Sequence, residues 1–395
     1  MSVFTAFCRI MMVCVVALLT LVQHSYASIN LSQQLPIPQA ELYYQLSDAE
    51  LTIASLTANP ALMHNFSPLP QQTTLRTNEQ QALWLQAKIT NPYPEPFDAV
   101  ISYHFLPADR VSFYKLDQDA PSATLLGQMG SDFPFAERPL PLNIFSQPIR
   151  LAAGEQATFL LRLQDAALLG TELSISTLPQ LLLDHQQQLT NNNLVNGALM
   201  LLVLLAAYRG LQQQQSALYA LAGFYLAFLL VLNTLNGIAF SLLWPENPEF
   251  NPVLLYISVG LALVFLTLFN RSTLPNNAGR FARYSNTGCL LVALALLFSP
   301  LYADGALKLK LLFSAVSIIL TATVLQAIYT SLTSIIRYSS RFSLLAAAAT
   351  LSLLLVQTHY LSSFVYWSNV GLFLLISVSA ILLLNLPKAE TSRPD

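Results

Sequence analysis

Histidines are the side chains of this sequence best suited to acid–base or metal chemistry, and they are scattered along it. Beyond residue 27 they are His64, His104, His185 and His359, and no two lie at metal-ligand spacing. None has a carboxylate or cysteine neighbour in a catalytic or zinc motif, and no P-loop or nucleophile elbow occurs. We therefore predict no catalytic residue, no metal site and no cofactor, and we expect that the protein is not an enzyme.

Aromatic and acidic side chains offer a different chemistry, the stacking and hydrogen bonding that a sugar requires. Candidates of these types are Trp84, Tyr103, Tyr114, Asp132 and Phe133. Trp84 and Tyr103 lie in segments of alternating polarity, which favours a position in the core or on a sheet face. The longest irregular stretch runs from Leu126 to Asn143, and long loops often carry binding sites. We predict the ligand-binding region there, without assigning single residues.

Composition places these candidates in a membrane protein. The chain is 54% hydrophobic and only 10% charged, which excludes an ordinary soluble protein. Crossing about 30 Å of hydrocarbon takes roughly 20 apolar residues in a helix, and seven segments come close to that length. We place these seven predicted spans near residues 190–209, 216–238, 251–270, 286–303, 308–330, 341–361 and 364–386.

The distribution of basic residues predicts how the chain is oriented. If the N-terminal part is exported and there are seven spans, eight Lys and Arg residues lie inside, and only Lys308 and Lys310 lie outside. Cytoplasmic loops are enriched in these residues, so we expect a cytoplasmic C-terminus and the lipid bilayer as the immediate surroundings. Neither half carries a basic cluster of the kind that binds nucleic acid.

The first 27 residues have the features of a secretory signal peptide. Arg9 supplies a positive charge, residues 10–22 are apolar, and the small residue Ala27 precedes Ser28. We predict cleavage between Ala27 and Ser28, with an uncleaved signal anchor as the alternative. Export predicts that the following domain lies on the outer side of the membrane.

Residues 28–180 have the pattern of an exported all-β domain. Short alternating segments separated by Pro and Gly predict strands at 83–90, 99–105, 111–116, 147–151, 157–163 and 172–178. A helical turn is expected near residues 48–55, and a connecting helix at 181–189. The predicted fold is therefore a jelly roll or β-sandwich ahead of a seven-helix membrane bundle at 190–386.

Several motifs give the chain a resemblance to a known family. In the exported part they are the opening stretch 40–56, Leu83-Trp84-Leu85 with Asn91-Pro92, the segment 111–116, Ala153-Gly154 and the segment 160–163; in the membrane part they are 219–244 with Asn236-Gly237 and Leu243-Trp244-Pro245. Their order resembles that of bacterial seven-transmembrane receptors with diverse intracellular signalling modules (7TMR-DISM). The resemblance covers nearly all of the chain. It implies a receptor in the bacterial inner membrane, with its exported domain in the periplasm, for a small periplasmic ligand such as a sugar.

The sequence departs from that family at its C-terminus. Family members usually continue into a histidine kinase or a diguanylate cyclase, whereas nine mostly polar residues, 387–395, follow the last predicted span. Such a tail is too short to fold into an output module. We expect signalling through a separate partner of that kind, and the small residues at 346–349 would also suit a homo-oligomer contact. The alternatives are an accessory protein of envelope assembly and, more remotely, a transporter.

Overall fold

The structure, a computed structural model, describes residues 39–68, 74–76, 80–104, 108–117, 122–165, 168–170, 173–272, 274, 279–303 and 305–333. The predicted signal peptide and the sixth and seventh predicted spans lie outside these residues.

The N-terminal part is built from antiparallel strands. In chain order they are β1 (Gln39–Asp48), β2 (Ser67–Pro68), β3 (Thr74–Arg76), β4 (Gln81–Thr90), β5 (Phe97–Tyr103), β6 (Arg110–Leu116), β7 (Ala123–Met129), β8 (Phe145–Leu151), β9 (Gln156–Gln164), β10 (Leu168–Gly170) and β11 (Leu173–Ser176). They form a six-stranded sheet in the order β2-β1-β4-β9-β6-β7, a three-stranded sheet β11-β5-β8 and a two-stranded pair β10-β3.

The main core fills the space between the two larger sheets. Leu83, Leu85 and Ile89 of β4 are fully buried on one face of the six-stranded sheet. They belong to the same cluster as Ile101 of β5 and Phe145 of β8. Side chains from two facing sheets thus interdigitate, which is the packing of a β-sandwich. The predicted fold class is confirmed in this part.

A second, smaller core lies on the opposite face of the six-stranded sheet. Helices α1 (Ile53–Ala58) and α2 (Pro60–His64) cover it, and Leu56 packs there against Trp84 and Leu160. Thr52 caps α1 by accepting a hydrogen bond from the Ser55 amide at 3.2 Å. The helical turn expected at 48–55 was therefore wrong in position, because the chain is still in β1 at Asp48.

Five of the eleven described strands were not predicted, namely the short strands β2, β3 and β10 and two longer ones. The first of the longer ones is β1, where the sequence analysis expected only a helical turn that starts near its last residue, Asp48. The second is β7, which includes the first four residues of the stretch predicted to be irregular. β7 is an edge strand and pairs only with β6, so both of its faces carry exposed residues and no alternation marks it.

The C-terminal part is helical. Its elements are α3 (Leu178–Gln213), α4 (Ser216–Leu235), α5 (Ile238–Leu243), α6 (Phe250–Ser272), α7 (Arg280–Leu297) and α8 (Gly305–Thr333). Among the residues described, α3, α4 and α6 are long and apolar enough to cross a membrane, and α7 and α8 contain shorter apolar segments. The connecting helix predicted at 181–189 and the first predicted span form one continuous helix, α3.

The chain divides into two compact units that do not follow the sequence order. One unit takes in the described residues up to Leu189 together with Asn233–Leu254. The other takes in Thr190–Leu232 and the described residues from Leu255 onward. The connection between α4 and α6, which contains α5, therefore belongs to the same unit as the sandwich.

Candidate functional site

Trp84 and Tyr114 are the only two of the five aromatic and acidic candidates that the structure brings into contact, as far as its description extends. Their ring centroids are 6.2 Å apart on the outer face of the six-stranded sheet. Trp84 is fully buried beneath α1 and donates a hydrogen bond from Nε1 to the Ser47 hydroxyl at 3.1 Å. An indole in this position supports the sheet rather than offering a face for stacking.

Arg162 continues this row of side chains across β9. Its guanidinium carbon lies 5.8 Å from the Trp84 ring, and Nη1 donates to Gln164 Oε1 at 2.8 Å. Nη2 donates to the Ala49 carbonyl. Burial lowers the pKa of Arg162, because the charged form loses hydration. These contacts hold α1 and the end of β1 against the sheet.

The remaining candidates lie apart from that pair. Tyr103 is fully buried in the main core, where it stacks on Phe145 with ring centroids 6.4 Å apart. Asp132 is exposed and accepts a hydrogen bond from Arg110 Nε at 2.8 Å. Phe133 follows Asp132 in the chain and is half-buried. The Trp84–Tyr114 pair, the buried Tyr103 and the exposed Asp132 therefore do not form a single site.

The segment that follows β7 begins in a constrained turn. Gly130 has a φ of +151°, and a Cβ there would lie 2.0 Å from the Asp109 carbonyl oxygen, so only glycine fits. The Ser131 amide donates to the Ala108 carbonyl at 3.1 Å, and the Asp132 amide donates to Asp109 at 3.1 Å. The start of the segment is thus fixed to the turn that precedes β6.

Residues 130–143 have an exposed and a buried side. Asp132, Ala136, Glu137, Pro139 and Pro141 are exposed. The buried side chains are Phe135 and Leu142, followed by Ile144 just before β8. A segment with this division can present polar groups to a ligand while its other side rests on the protein.

Part of the buried side rests on α3. Leu142 and Ile144 share a small cluster with Val100 and Leu181, and Leu181 lies in the first turn of α3. The Asn143 amide donates to Nε2 of His185, one turn further along the same helix, at 3.4 Å. The segment therefore contacts the helix that leads out of the sandwich.

Arg138 occupies the centre of the segment and is enclosed by aromatic rings. Its guanidinium carbon lies 4.5 Å from the ring of Phe135, 4.8 Å from Phe145 and 5.7 Å from Phe240. Nη1 donates to the Leu142 carbonyl at 2.9 Å, while Nε is buried without a partner among the described residues. Burial lowers the pKa of Arg138 to about 10, so the side chain is charged at neutral pH.

The structure gives no set of ligands for a metal ion within its described residues. His104 hydrogen-bonds the Ser174 hydroxyl at 2.6 Å across two paired strands, and His64 ends α2. His359 lies beyond the described part. That the protein holds no metal therefore stays a prediction.

One groove in the helical unit runs between α7 and α8, with a volume of about 460 Å³. Its lining is mainly apolar, with Ile318 and Leu325 beside small side chains such as Ala282, Ser285, Ser317 and Ala322. Small residues of this kind permit close helix packing in membranes. None of the sequence-predicted candidates lines the groove.

Sequence reasoning did not single out Arg138 or Phe240. Both are ordinary residues in their local sequence, and they are separated by about a hundred positions. The one available signal was that Arg138 lies between Phe135 and Phe145 in a stretch with two prolines, where Glu137 is the only other charged residue. That pattern indicates a buried cation only after the partner rings are known.

Comparison with known protein families assigns both halves of the chain. The family described as 7TMR-DISM extracellular 2 matches residues 39–177, and the family described as 7TM diverse intracellular signalling matches residues 193–387. No curated protein matches the chain. The two matches together span most of the sequence, so the chain belongs to the 7TMR-DISM family of membrane receptors, as its motifs predicted. It is a membrane protein with an extracellular β-domain and a helical domain of the seven-transmembrane type.

Proposed function

We propose that this protein is a non-catalytic receptor in the bacterial inner membrane, which binds a small ligand such as a sugar in the periplasm. Its C-terminus would lie in the cytoplasm, and a separate kinase or diguanylate cyclase would read its conformation. Family membership supports the receptor role. A ligand can drive such a receptor only if it binds two conformations with different affinity.

One observation supports residues 130–143 as the place where the ligand acts. The segment carries the exposed carboxylates of Asp132 and Glu137 on one side, while Leu142 on its other side packs against α3. Carboxylates are strong hydrogen-bond acceptors for hydroxyl groups. A ligand bound there would act directly on a segment that contacts the helix leading to the membrane domain.

A thermal-shift screen of the purified full-length protein tests this proposal. Monosaccharides, disaccharides and small envelope metabolites would be added one at a time. A ligand present at about 100 times its dissociation constant adds about 2.7 kcal/mol to the stability of the state that binds it. We expect the double substitution Asp132→Ala and Glu137→Ala to abolish the shift.

Asp98→Ala is the matched control, because Asp98 is an exposed carboxylate elsewhere on the sandwich and pairs only loosely with Arg150 at 3.7 Å. A ligand whose shift survives the double substitution would place the site elsewhere. A folded protein that responds to no compound would favour the accessory role, with a protein as its partner.

A further inference from the structure

The connection between α4 and α6 contains a short and largely apolar helix, α5. Gly237 has a φ of +67°, which ends α4, and α5 follows at once. Ala239 and Phe240 are buried, whereas Leu242 and Leu243 are 74% and 66% exposed. One face of this six-residue helix is therefore covered.

The cover is provided by residues 131–138 of the sandwich. Phe135 meets Phe240 edge to face, with ring centroids 5.7 Å apart and planes at 80°. The Phe135 amide donates to the Pro245 carbonyl at 2.7 Å. Ala239 and Trp244 complete the buried cluster. The contact thus combines apolar packing with a main-chain hydrogen bond.

A side-chain relay extends the contact to the start of α6. Trp244 Nε1 donates to Asn251 Oδ1 at 2.8 Å, and Asn251 Nδ2 donates to the Ser131 carbonyl at 3.0 Å. Asn251 therefore joins the first turn of α6 both to the end of α5 and to the turn after β7. The hydrogen bonds fix the orientation of the connection as well as its attachment.

The energetic balance of this contact makes it suitable for switching. The Arg138 guanidinium is partly buried among three rings, and no carboxylate within the described part of the chain lies at ion-pair distance from it. Burying a cation costs free energy that cation–π attraction offsets only while the rings stay in place. Since Phe240 supplies one of these rings, separation of α5 would both remove an attraction and return Arg138 to water.

We propose that residues 131–138, which end at Arg138, form a clasp on the α4–α6 connection, and that this clasp passes movement of the sandwich to the membrane helices α4 and α6. The inference rests on the proposed receptor function and adds a second route beside α3. In this mechanism the ligand acts on the exposed side of the same segment, and the clasp on the buried side closes or opens in response.

Hydrogen–deuterium exchange on the full-length protein in lipid nanodiscs tests the clasp without any ligand. Phe240→Ala removes the ring on the side of the connection, and Leu242→Ala is the control, an exposed apolar residue of the same helix. We expect the Phe135 amide and the amides of 241, 247 and 251 to exchange about tenfold faster in Phe240→Ala, as when an aromatic anchor is truncated. The amides of β4 should not change in either variant.

Arg138→Ala removes the cation on the sandwich side of the contact, and Arg150→Ala is its exposed control. Faster exchange of the β4 amides in Arg138→Ala would mean that this substitution loosens the sandwich itself. In that case the result for Phe240→Ala decides. Unchanged exchange of residues 237–254 in Phe240→Ala would overturn the clasp.

Transmission is measured at Cys289, which is buried in α7. A small membrane-permeant maleimide labels it, and peptide mass spectrometry separates it from Cys8 and Cys14. We expect the labelling rate to change about threefold or more in Phe240→Ala and to stay unchanged in Leu242→Ala. Faster exchange of the connection with an unchanged Cys289 rate would overturn transmission, and neither result depends on the outcome of the ligand screen.

Discussion

Gly260 of α6 lies directly against Leu297 of α7, and replacing it by alanine gives a sharp test of the helix packing. A Cβ at this position would lie 2.6 Å from Cα, 2.8 Å from N and 2.9 Å from Cβ of Leu297. These are backbone-side atoms that no side-chain rotation can move away. Gly288 in α7 is the natural control, because a Cβ there meets nothing within 4 Å.

The magnitude follows from these distances. Ordinary contact requires at least 3.4 Å, so the two helices must move apart locally to admit the methyl group. Overpacking of this kind costs about 1–3 kcal/mol. Alanine is favoured over glycine in a helix by about 1 kcal/mol, and both variants gain that amount. We therefore expect Gly260→Ala to be less stable than Gly288→Ala by about 1–3 kcal/mol.

Thermal unfolding of the helical unit can be followed with a thiol-reactive fluorogenic dye. Replacing Cys8 and Cys14 by serine in every variant leaves Cys289 as the one thiol of the chain. Because Cys289 is buried, the dye reacts when the bundle opens. The difference corresponds to about 2–4 °C per kcal/mol for a unit of about 200 residues. If the melting temperature of Gly260→Ala equals or exceeds that of Gly288→Ala, the close approach of α6 and α7 is refuted.

Three further predictions concern single interactions. Lys115 Nζ donates a hydrogen bond to Glu155 Oε1 at 2.8 Å, and this contact lowers the pKa of the carboxyl below its ordinary 4.5. The ionised carboxylate therefore stabilises the folded protein above pH 4.5, and this stabilisation is lost as the pH falls through the lowered pKa. The melting temperature, measured by tryptophan fluorescence, should therefore fall more steeply between pH 5 and pH 3 in the wild type than in Glu155→Gln. Equal slopes for the two proteins would contradict this. Asn270 Nδ2 donates to Thr323 Oγ1 at 3.1 Å between α6 and α8, and a double-mutant cycle with Asn270→Ala and Thr323→Val should give a coupling of about 0.5–1.5 kcal/mol. Strict additivity in the thiol-dye assay would show that the bond contributes nothing. Asn91 is fully buried and donates to two carbonyls at 2.8 and 2.9 Å, so Asn91→Ala should lower the stability of the sandwich by about 2–3 kcal/mol, and an unchanged urea midpoint would refute this.

Much of the architecture follows from local pattern. Strand β4 was predictable because Leu83, Leu85, Ala87 and Ile89 alternate with more polar residues, and the core side of a sheet needs that period. The turn before β9 was predictable from Gly154, which has a φ of +69°. The five predicted spans that fall in described residues all correspond to helices, because length and apolar composition are properties of one segment.

The candidate site was harder to predict. Trp84 and Tyr103 were correctly expected in core or sheet-face positions, but the ligand-binding region at residues 126–143 stays a prediction. The sequence analysis expected the whole of residues 126–143 to be irregular, whereas residues 126–129 belong to β7. It also gave no sign that the buried side of this stretch contacts α3 and α5. Contacts of that kind join chain segments that are far apart in sequence, and local periodicity does not predict them.

The sequence by itself determined the class of protein, since an export signal pattern, alternating strands and long apolar segments each follow from neighbouring residues. Only the tertiary structure decided that the α4–α6 connection belongs with the sandwich rather than with the helices on either side of it. The physical reason is that Arg138 and Phe240 gain their interaction only after β8, the segment before it and α5 have come together. The contact of a cation with several rings exists only in that assembled environment. The sequence around Arg138 and the sequence around Phe240 therefore do not predict it.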